Sequence, residues 1–353
     1  MAFNPDDYRN PQCRIFVGGS ELKRSDCHIE QVNVQLSVSS KANSADVTII
    51  ADYDYKNSGV GGELLSKLSA GKKVRIAMGY QEADVVFMGY INTVSLSFSE
   101  QGVTVSFSCL DARGLLMGNT SWKAHEKESA KQIVEALLNP LKSYVAGMTV
   151  KIPGEADPEQ PLPQNNLDDF RYICRLAKLT YSVFYMNNTE LKFIENNLRS
   201  VSPSHSYKWG RDIIKFDRTV DLSNQVGSVT VNGNFPDTVE DFSSTVSPPT
   251  GGGKTVAQLN SDVKQKELTV DSYSVKNPKE AQAYASSMMF ESALNICSGT
   301  AVVLGNEHLL PGEGVSFEGL DSDIDGDYLI TSVSHSFGSG GFISTIGFNR
   351  TTA

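Results

Sequence analysis

The chain has 353 residues, of which 40% are hydrophobic and 20% are charged, and its formal net charge is −10 at pH 7. This length and composition can form a hydrophobic core in two or three domains, which excludes wholesale disorder. The acidic balance argues against nucleic-acid binding, because a basic surface is needed to neutralise phosphates.

The sequence also argues against membrane insertion and secretion. Apolar runs such as residues 47–51 are too short to span a bilayer. The N-terminal residues lack the basic and then apolar pattern of a signal peptide. We therefore expect a protein that folds in a cytoplasm and does not insert into a membrane.

Residues 1–118 are predicted to form a first β-barrel domain. Apolar residues recur at every second position within 32–38, 74–78, 94–98 and 103–107. A period of two is typical of a strand with one buried and one wet face. Many short strands at this spacing predict a small antiparallel barrel or sandwich.

Residues 119–204 change character and are predicted to form an α/β insertion domain. Apolar residues between 133 and 145 fall on one helical stripe, which Pro140 should kink or split. A proline-rich loop at 153–163 follows, after which Asn166 can cap a second helix. The pair Asn187-Asn188 then predicts the turn of a β-hairpin.

Residues 205–353 are predicted to form a second β-barrel domain with two interruptions. The first, 235–266, is rich in Ser, Pro and Gly and poor in apolar residues, so we expect a long flexible loop. The second is a helix over 277–294, where Asn277 is the N-cap, Pro278 is the first helical residue and Glu280 completes a capping box.

The end of the first β domain resembles the end of the chain. Five pairs of residues recur at one constant offset: Val94 and Val333, Phe98 and Phe337, Gly102 and Gly341, Val103 and Phe342, Phe107 and Ile346. Upstream, Gly71–Val74 resembles Gly312–Val315 after a two-residue gap. Either glycine-bounded hairpins look alike in general, or one barrel fold occurs twice in the chain.

Motifs of catalysis and ligand binding are incomplete. Gly253-Lys254-Thr255 ends like a phosphate-binding loop, but Pro248 stands where that motif needs glycine. His125-Glu126 resembles a metalloprotease helix, but Ser129 stands where the second histidine belongs. The five cysteines form no C-x-x-C pair, so we expect buried thiols in a reducing compartment.

Two acidic segments also match known functional motifs only in part. Asp321, Asp323, Asp325 and Gly326 match the opening of a calcium loop, but Ser332 replaces the final glutamate and the flanks are predicted strands. The carboxylates of residues 155–159 lie in a proline-rich loop, which does not hold a glycosidase pair at fixed separation. We predict no catalytic residue, no metal and no cofactor.

Several segments together resemble a known family. Residues 87–91, 103–110 and 111–116 resemble the first barrel of late-control-D hub proteins of contractile phage tails, and similar segments begin the VgrG spike-hub proteins of type VI secretion. Further segments that resemble this family are 162–170, 175–177 with Tyr185, 310–312, 325–328 and 333–335. The resemblance covers roughly residues 10–350.

This resemblance implies a fold and an architecture. The fold class is β-rich α+β, with two similar small antiparallel β-barrels and an α/β insertion domain between them. Three such chains would form a baseplate hub, a homotrimer whose six barrels meet the six-fold tail tube protein above and a trimeric spike protein below. Other baseplate proteins would also bind, and the ring would line the delivery channel.

The same resemblance sets the expected location and the rival functions. No segment after Ala353 could form a fused spike, so we expect a separate spike polypeptide. The hub would then be assembled in a bacterial cytoplasm into a phage tail or a phage-tail-like injection particle. Two alternatives are a tail-tip peptidoglycan-degrading enzyme, which would need an acid/base pair or a metal cluster, and a surface-binding β-protein that acts as an adhesin.

Our candidate site residues within these segments are structural rather than catalytic. They are turn and barrel-shaping positions at a predicted assembly interface: Gly89, Tyr90, Gly312, Asp325, Gly326 and Tyr328. Asp325-Gly326 is predicted to form a tight turn, because glycine accepts a positive φ.

Overall fold

The computed structural model describes most of residues 10–353. The residues outside this description are 1–9, 24, 26, 40, 55–58, 61–63, 101, 153–161, 199–201, 236–237, 239, 250–253, 265 and 273–274. Most of the predicted proline-rich loop, including the carboxylates of residues 155–159, therefore lies outside the described residues. So do Gly253 of the incomplete phosphate-binding motif and parts of the predicted loop at 235–266.

The first part of the chain is built almost entirely of strands, with one short helix, α1 (Leu64–Lys67). These strands are β1 (Gln12–Val17), β2 (Ser20–Glu21), β3 (His28–Ser37), β4 (Ser44–Ala51), β5 (Tyr53–Asp54), β6 (Gly59–Val60), β7 (Lys73–Gly79), β8 (Ala83–Ser99) and β9 (Gly102–Leu110).

The middle of the chain alternates between helices and short strands. It contains a 3-10 helix (Ala112–Leu116), α2 (Ala130–Leu138), a second 3-10 helix (Asn139–Tyr144), β10 (Gly147–Val150), α3 (Asp169–Leu179), β11 (Ser182–Met186) and β12 (Glu190–Glu195). Pro140 splits the predicted first helix. The prediction of Asn166 as the second N-cap was wrong: Asn166 adopts a positive φ of 59°, and the Asp168 side chain caps α3 by accepting from the Arg171 N–H.

The last part returns to strands. It contains β13 (Pro203–Lys208), β14 (Ile213–Val220), β15 (Ser228–Asn234), β16 (Asp241–Val246), α4 (Val256–Leu259), α5 (Ser261–Lys264), β17 (Glu267–Asp271), α6 (Pro278–Leu294), β18 (Cys297–Leu304), β19 (Gly314–Glu318), β20 (Gly326–Gly338) and β21 (Gly341–Arg350). Asn277 caps α6 by accepting from the Glu280 N–H at 2.9 Å.

The long flexible loop predicted at 235–266 is not what the described residues show. This segment contains β16, which pairs with β15, and the two short helices α4 and α5. Val256 and Val263 are buried in the main core, and Phe242 packs against Phe235. Because Val256 and Val263 contact the main core, a low average hydrophobicity of the segment did not predict its structure correctly.

One large, mainly antiparallel sheet of thirteen strands dominates the structure, which confirms a β-rich fold with few helices. Its main path runs β14-β18-β21-β20-β3-β4-β9-β8-β7-β1-β2, and β19 joins β20 to β13. Two three-stranded sheets have the orders β10-β12-β11 and β16-β15-β17, and β5 pairs with β6 in a two-stranded sheet. No helix in the described part of the chain has the length and apolar character needed to cross a membrane.

The sheet contains the same five-strand unit twice. Unit 1 has the order β3-β4-β9-β8-β7 and unit 2 has the order β14-β18-β21-β20-β19. In unit 1 Val94 lies opposite Phe107, and in unit 2 Val333 lies opposite Ile346. These two pairs of partners are related by the constant offset that the sequence predicts, here called the hairpin offset.

Irregularities of the two units coincide as well. A β-bulge interrupts β8/β9 between Ile91 and Thr93, and a bulge at the same hairpin offset interrupts β20/β21 between Ile330 and Ser332. A bulge adds an unpaired residue at one place in a ladder. Its recurrence at an equivalent place favours a structural repeat over a chance likeness of hairpins.

The first strands of the two units share a second bulge. It lies between Ile29 and Gln31 in β3 and between Ile213 and Lys215 in β14. Aligning Ile29 with Ile213 defines a second constant offset, here called the first-strand offset, which relates the residues of β3 to those of β14. The repeat therefore extends to the first strand of each unit.

The two units are joined by pairing between β3 and β20. Val32, Val34 and Leu36 lie opposite Phe337, His335 and Val333, and all three β3 side chains are at most 1% exposed. One hydrophobic core contains side chains of both units.

A second core lies beneath the insertion. It combines α2, α3, β11 and β12 with side chains of β15 and α6, and therefore includes residues from both sides of position 204. The domain boundaries after residues 118 and 204 stay a prediction.

The first test concerns the close approach of β8 to β9. A Cβ added at Gly89 would lie 2.1 Å from the Leu110 carbonyl oxygen, so backbone would have to move. We expect Gly89→Ala to lower the free energy of unfolding by about 2 kcal/mol, in the range of overpacked sites. Gly340→Ala is the matched control, because a Cβ there meets nothing within 4 Å. Equal urea midpoints for the two variants would contradict this packing.

Candidate functional site

Three of the candidate residues lie where the turn between β19 and β20 meets the start of β20. The Asp325 carboxylate accepts hydrogen bonds from the Gly319 and Leu320 N–H groups at 2.9 and 2.8 Å, and these bonds lower the pKa of Asp325. Gly326 adopts a φ of 134°. The buried Tyr328 donates its hydroxyl to the Ile324 carbonyl at 2.5 Å. The structure therefore brings Asp325, Gly326 and Tyr328 together.

The other three candidates lie elsewhere, and two of them contact the insertion. Gly312 has a φ of 90°, and a Cβ there would lie 3.0 Å from the Tyr185 hydroxyl. The ring of Tyr90 meets Tyr144 edge-on, and burial, followed by the charge of Asp111, raises the pKa of Tyr90.

Gly89 is not at a turn but in the middle of β8, opposite Val74. Its equivalent in unit 2 is Tyr328, which lies opposite Val315.

Sequence reasoning missed a buried polar network at the end of β9. Asn43, Asp111 and Arg113 are 3%, 1% and 0% exposed. The Arg113 guanidinium donates to the Asp111 carboxylate at 2.8 Å and to the Asn43 side-chain oxygen at 2.9 Å. The Asn43 side-chain amide then donates to the Met186 carbonyl at 2.8 Å.

This network fastens unit 1 to the insertion, because Met186 ends β11. The segment 111–116 already carries part of the family resemblance, and it holds an opposite-charge pair two residues apart at the end of an alternating strand. This pair of opposite charges was the sequence feature from which the network could have been predicted. Its burial depends on the insertion, which only the three-dimensional structure places there.

Removing the arginine tests this network. We expect Arg113→Met to lower the free energy of unfolding by about 3–5 kcal/mol, because it leaves the Asp111 charge buried without its partner. The control is Arg14→Met, which removes an ion pair with Glu21 of similar 2.7 Å length whose side chains are 49% and 35% exposed. Exposed pairs contribute little to stability, because water and salt screen their charges. Similar losses in urea unfolding for both variants would count against the network.

His335 in β20 is wholly buried between the two units, where it lies opposite Val34 of β3. Its Nδ1 lies 2.9 Å from the Ser344 hydroxyl, and its ring packs on Phe342. Burial lowers the pKa of His335 from its ordinary 6.5 to about 3. The imidazole is therefore neutral in the folded protein.

This burial predicts a pH dependence. Between pH 6.5 and about 3 the unfolded chain binds a proton at His335 that the folded protein does not, so stability falls as the pH falls. Below pH 6.5 we expect a loss of about 1.4 kcal/mol per pH unit, which His335→Gln lacks. Urea unfolding of both proteins between pH 7 and 4.5 measures the difference. Parallel pH profiles would contradict a neutral buried His335.

One group of side chains in the described residues has the composition of a metal site. Asp84 of β8 lies beside Glu307 and His308 of the β18–β19 loop, and their ligand atoms lie within 4.8 Å of one another. His308 Nδ1 is 3.9 Å from Asp84 and its Nε2 is 3.8 Å from Glu307. Asp84 and His308 are exposed and Glu307 is half-buried, so these polar contacts lie at the surface between β8 of unit 1 and the loop before β19 of unit 2.

One face of the large sheet is lined with small hydroxyl side chains. Residues directly opposite in the ladders share this face, as in Thr93 with Ser108 and Ser334 with Thr345. The set, here called the hydroxyl face, consists of Thr48, Thr93, Ser95, Ser97, Thr104, Ser106, Ser108, Thr300, Ser332, Ser334 and Thr345. All of them are half-buried or exposed, whereas the opposite face forms the core.

The chain shares its fold with solved phage tail proteins and with a component of type VI secretion. The 43 kDa tail protein of prophage MuSo2 from Shewanella oneidensis has a TM-score of 0.72 at 14% identity, over 97% of this chain and 99% of that one. A tail protein from Neisseria meningitidis MC58 has a TM-score of 0.70 at 15% identity, over 97% and 96%. An Escherichia coli type VI secretion component similar to phage T4 tail proteins has a TM-score of 0.60 at 11% identity, over 95% and 76%.

These similarities define the class: the chain has the fold of phage tail proteins. Residues 8–338 also match the family model of the Alg8 N-terminal domain. The chain belongs to the Alg8 N-terminal domain family. The family model that matches is therefore not late control D, the family that the short sequence motifs suggested. Short motifs separate such families poorly, because these solved proteins with the same fold are only 11–15% identical to the chain. No curated protein matches the chain.

Proposed function

We propose that this protein is a structural baseplate hub of a contractile tail or injection particle. It acts as a homotrimer, and the two five-strand units of each chain form the two barrels of the predicted fold. Three chains then supply six similar units around one axis. Such a ring matches a six-fold partner on one side and a three-fold partner on the other.

The observation that carries this proposal is the repeat of strand order, register and bulges within one continuous sheet. A single unit per chain would give a trimer only three-fold symmetry. Two units with the same geometry give six-fold pseudo-symmetry without six chains. The tail-protein fold supports the same function, since the solved tail proteins share it over almost their whole length.

The hydroxyl face is our candidate for the channel lining. The hydroxyl side chains are short and uncharged, and the exposed carboxylates of Asp46 and Asp217 lie on the same face, opposite Ser108 and Thr300. This face would therefore form a wet, polar wall of the channel. Residues 1–118 and the second β domain, 205–353, would both contribute to this lining, and the insertion, residues 119–204, would lie outside it. The residues Asp325, Gly326 and Tyr328 at the start of β20, together with Gly89, Tyr90 and Gly312, would shape the units and their contacts.

The partners of such a hub follow from its two ends. The tail tube protein would stack on the six-fold end, a trimeric spike protein would dock on the three-fold end, and other baseplate proteins would bind the outside. Assembly would take place in the bacterial cytoplasm, as part of a phage tail or a phage-tail-like particle.

The mass of the purified protein tests the trimer. We expect mass photometry to show a particle of three times the 38.4 kDa chain mass. Negative-stain class averages should show a ring with six peripheral densities. A monomer across the accessible concentrations, or a ring without pseudo-six-fold density, would overturn the proposal.

A further inference from the structure

The two units differ in what covers their long strand. In unit 2, residues 332–337 of β20 pair with β21 on one side and with β3 on the other. In unit 1, the equivalent residues 93–98 of β8 pair with β9 on one side. Within the described residues no strand pairs with their other side. We call residues 93–98 the β8 edge.

The first strands show the complementary difference. β3 of unit 1 pairs with β4 and with β20, whereas β14 of unit 2 ends the main path of the sheet. In the part of the chain that the structure describes, residues 215–220 of β14 pair with β18 alone. We call residues 215–220 the β14 edge.

Exposure of apolar residues follows this pattern. His335 of β20 is 0% exposed, whereas its equivalent in the β8 edge, Leu96, is 45% exposed. Phe98, the next residue on the same face of the β8 edge, is 62% exposed. Val220 in the β14 edge is 42% exposed, and its equivalent in β3, Leu36, is 1% exposed. Both edges thus present apolar side chains at positions that are covered in the other unit.

We propose that neighbouring copies of this chain join by antiparallel pairing of the β14 edge of one copy with the β8 edge of the next, in the register of β3 with β20. This inference rests on the proposed trimer and names its interface. Applying the hairpin offset to β20 and the first-strand offset to β3 converts the internal pairs into intermolecular ones. The resulting register places Val94 opposite Val220, Leu96 opposite Arg218 and Phe98 opposite Phe216.

A second copy is the occupant that the internal junction specifies. The contact of unit 1 with unit 2 inside one chain provides a template, and the same contact between chains uses the same two surfaces. The edges lie toward opposite ends of the main sheet path, which runs from β14 to β8 through six other strands. A head-to-tail contact of this kind closes into a ring when its rotation allows. Three internal and three intermolecular junctions would then alternate around the ring.

Cysteine cross-linking tests the register. Ser95 and Thr219 would lie directly opposite on the hydroxyl face, as Ser334 and Gln35 do inside the chain. We expect Ser95→Cys/Thr219→Cys to form disulfide-linked trimers under mild oxidation. The control Thr93→Cys/Asp217→Cys is out of register by four positions. This control should yield at least about tenfold less disulfide-linked trimer than the in-register pair. Cysteines whose Cα atoms are more than about 7 Å apart cannot be bridged without backbone movement. The wild type sets the background of its five native cysteines, which are buried or half-buried.

Charged substitutions test the edge itself. We expect Leu96→Asp/Phe98→Asp to convert the trimer into monomers while the circular dichroism spectrum stays unchanged, since both side chains are exposed within one chain. Leu268→Asp, at 38% exposure in β17, is the control and should stay trimeric.

The outcomes separate this inference from the proposed function. A wild type that is monomeric overturns the trimer and with it the interface. A trimer that survives Leu96→Asp/Phe98→Asp, or that links Thr93→Cys/Asp217→Cys as well as the in-register pair, overturns the strand pairing and leaves the hub proposal standing.

Discussion

Pairing between β3 and β20 is the constraint on which the rest of the structure depends. It brings together strands from the two ends of the chain, with Val32 opposite Phe337 and Leu36 opposite Val333. Because side chains alternate between faces, a slip of one residue would move Val32, Val34 and Leu36 from the core to the wet face. Their complete burial therefore fixes the register, and the register fixes how unit 2 sits beside unit 1.

The insertion reinforces this junction by holding both units. Its β11 receives the Asn43 amide at the Met186 carbonyl, which anchors it to unit 1. One residue earlier, Tyr185 packs against Gly312, which anchors it to unit 2. The polar network of Asn43, Asp111 and Arg113 is specific in direction and distance, whereas apolar packing is not. It therefore defines the orientation of the insertion, and the β3–β20 ladder defines that of the units.

The sequence predicted what depends on neighbours along the chain. The alternation of apolar and polar residues located the hairpins that contain Val94 and Val333. The constant offset between the two hairpins predicted their shared register, because two strands joined by a tight turn pair with each other. The cap at Asn277 is equally local. The burial of His335, the Asp111–Arg113 pair and the helices within 235–266 depend on residues far away in sequence. The pattern of residue types along the chain does not predict such long-range contacts. The positions of β-bulges likewise cannot be predicted from amino-acid composition.

The two repeated units are joined within one chain at a single junction, between β3 and β20, and this has a physical consequence. In unit 2, β20 pairs with β3 of unit 1, but within the described residues no strand pairs in the same way with the β8 edge, although Leu96 and Phe98 are exposed apolar residues there. Exposed strand edges pair with other chains unless they are blocked by charge, proline or a cover. The β8 edge holds only serine, threonine and apolar residues, and it is therefore unblocked. An unblocked apolar edge promotes aggregation of a monomer. In a ring the same edge would form a defined interface, in which the geometry of the internal junction specifies the partner, the direction and the register.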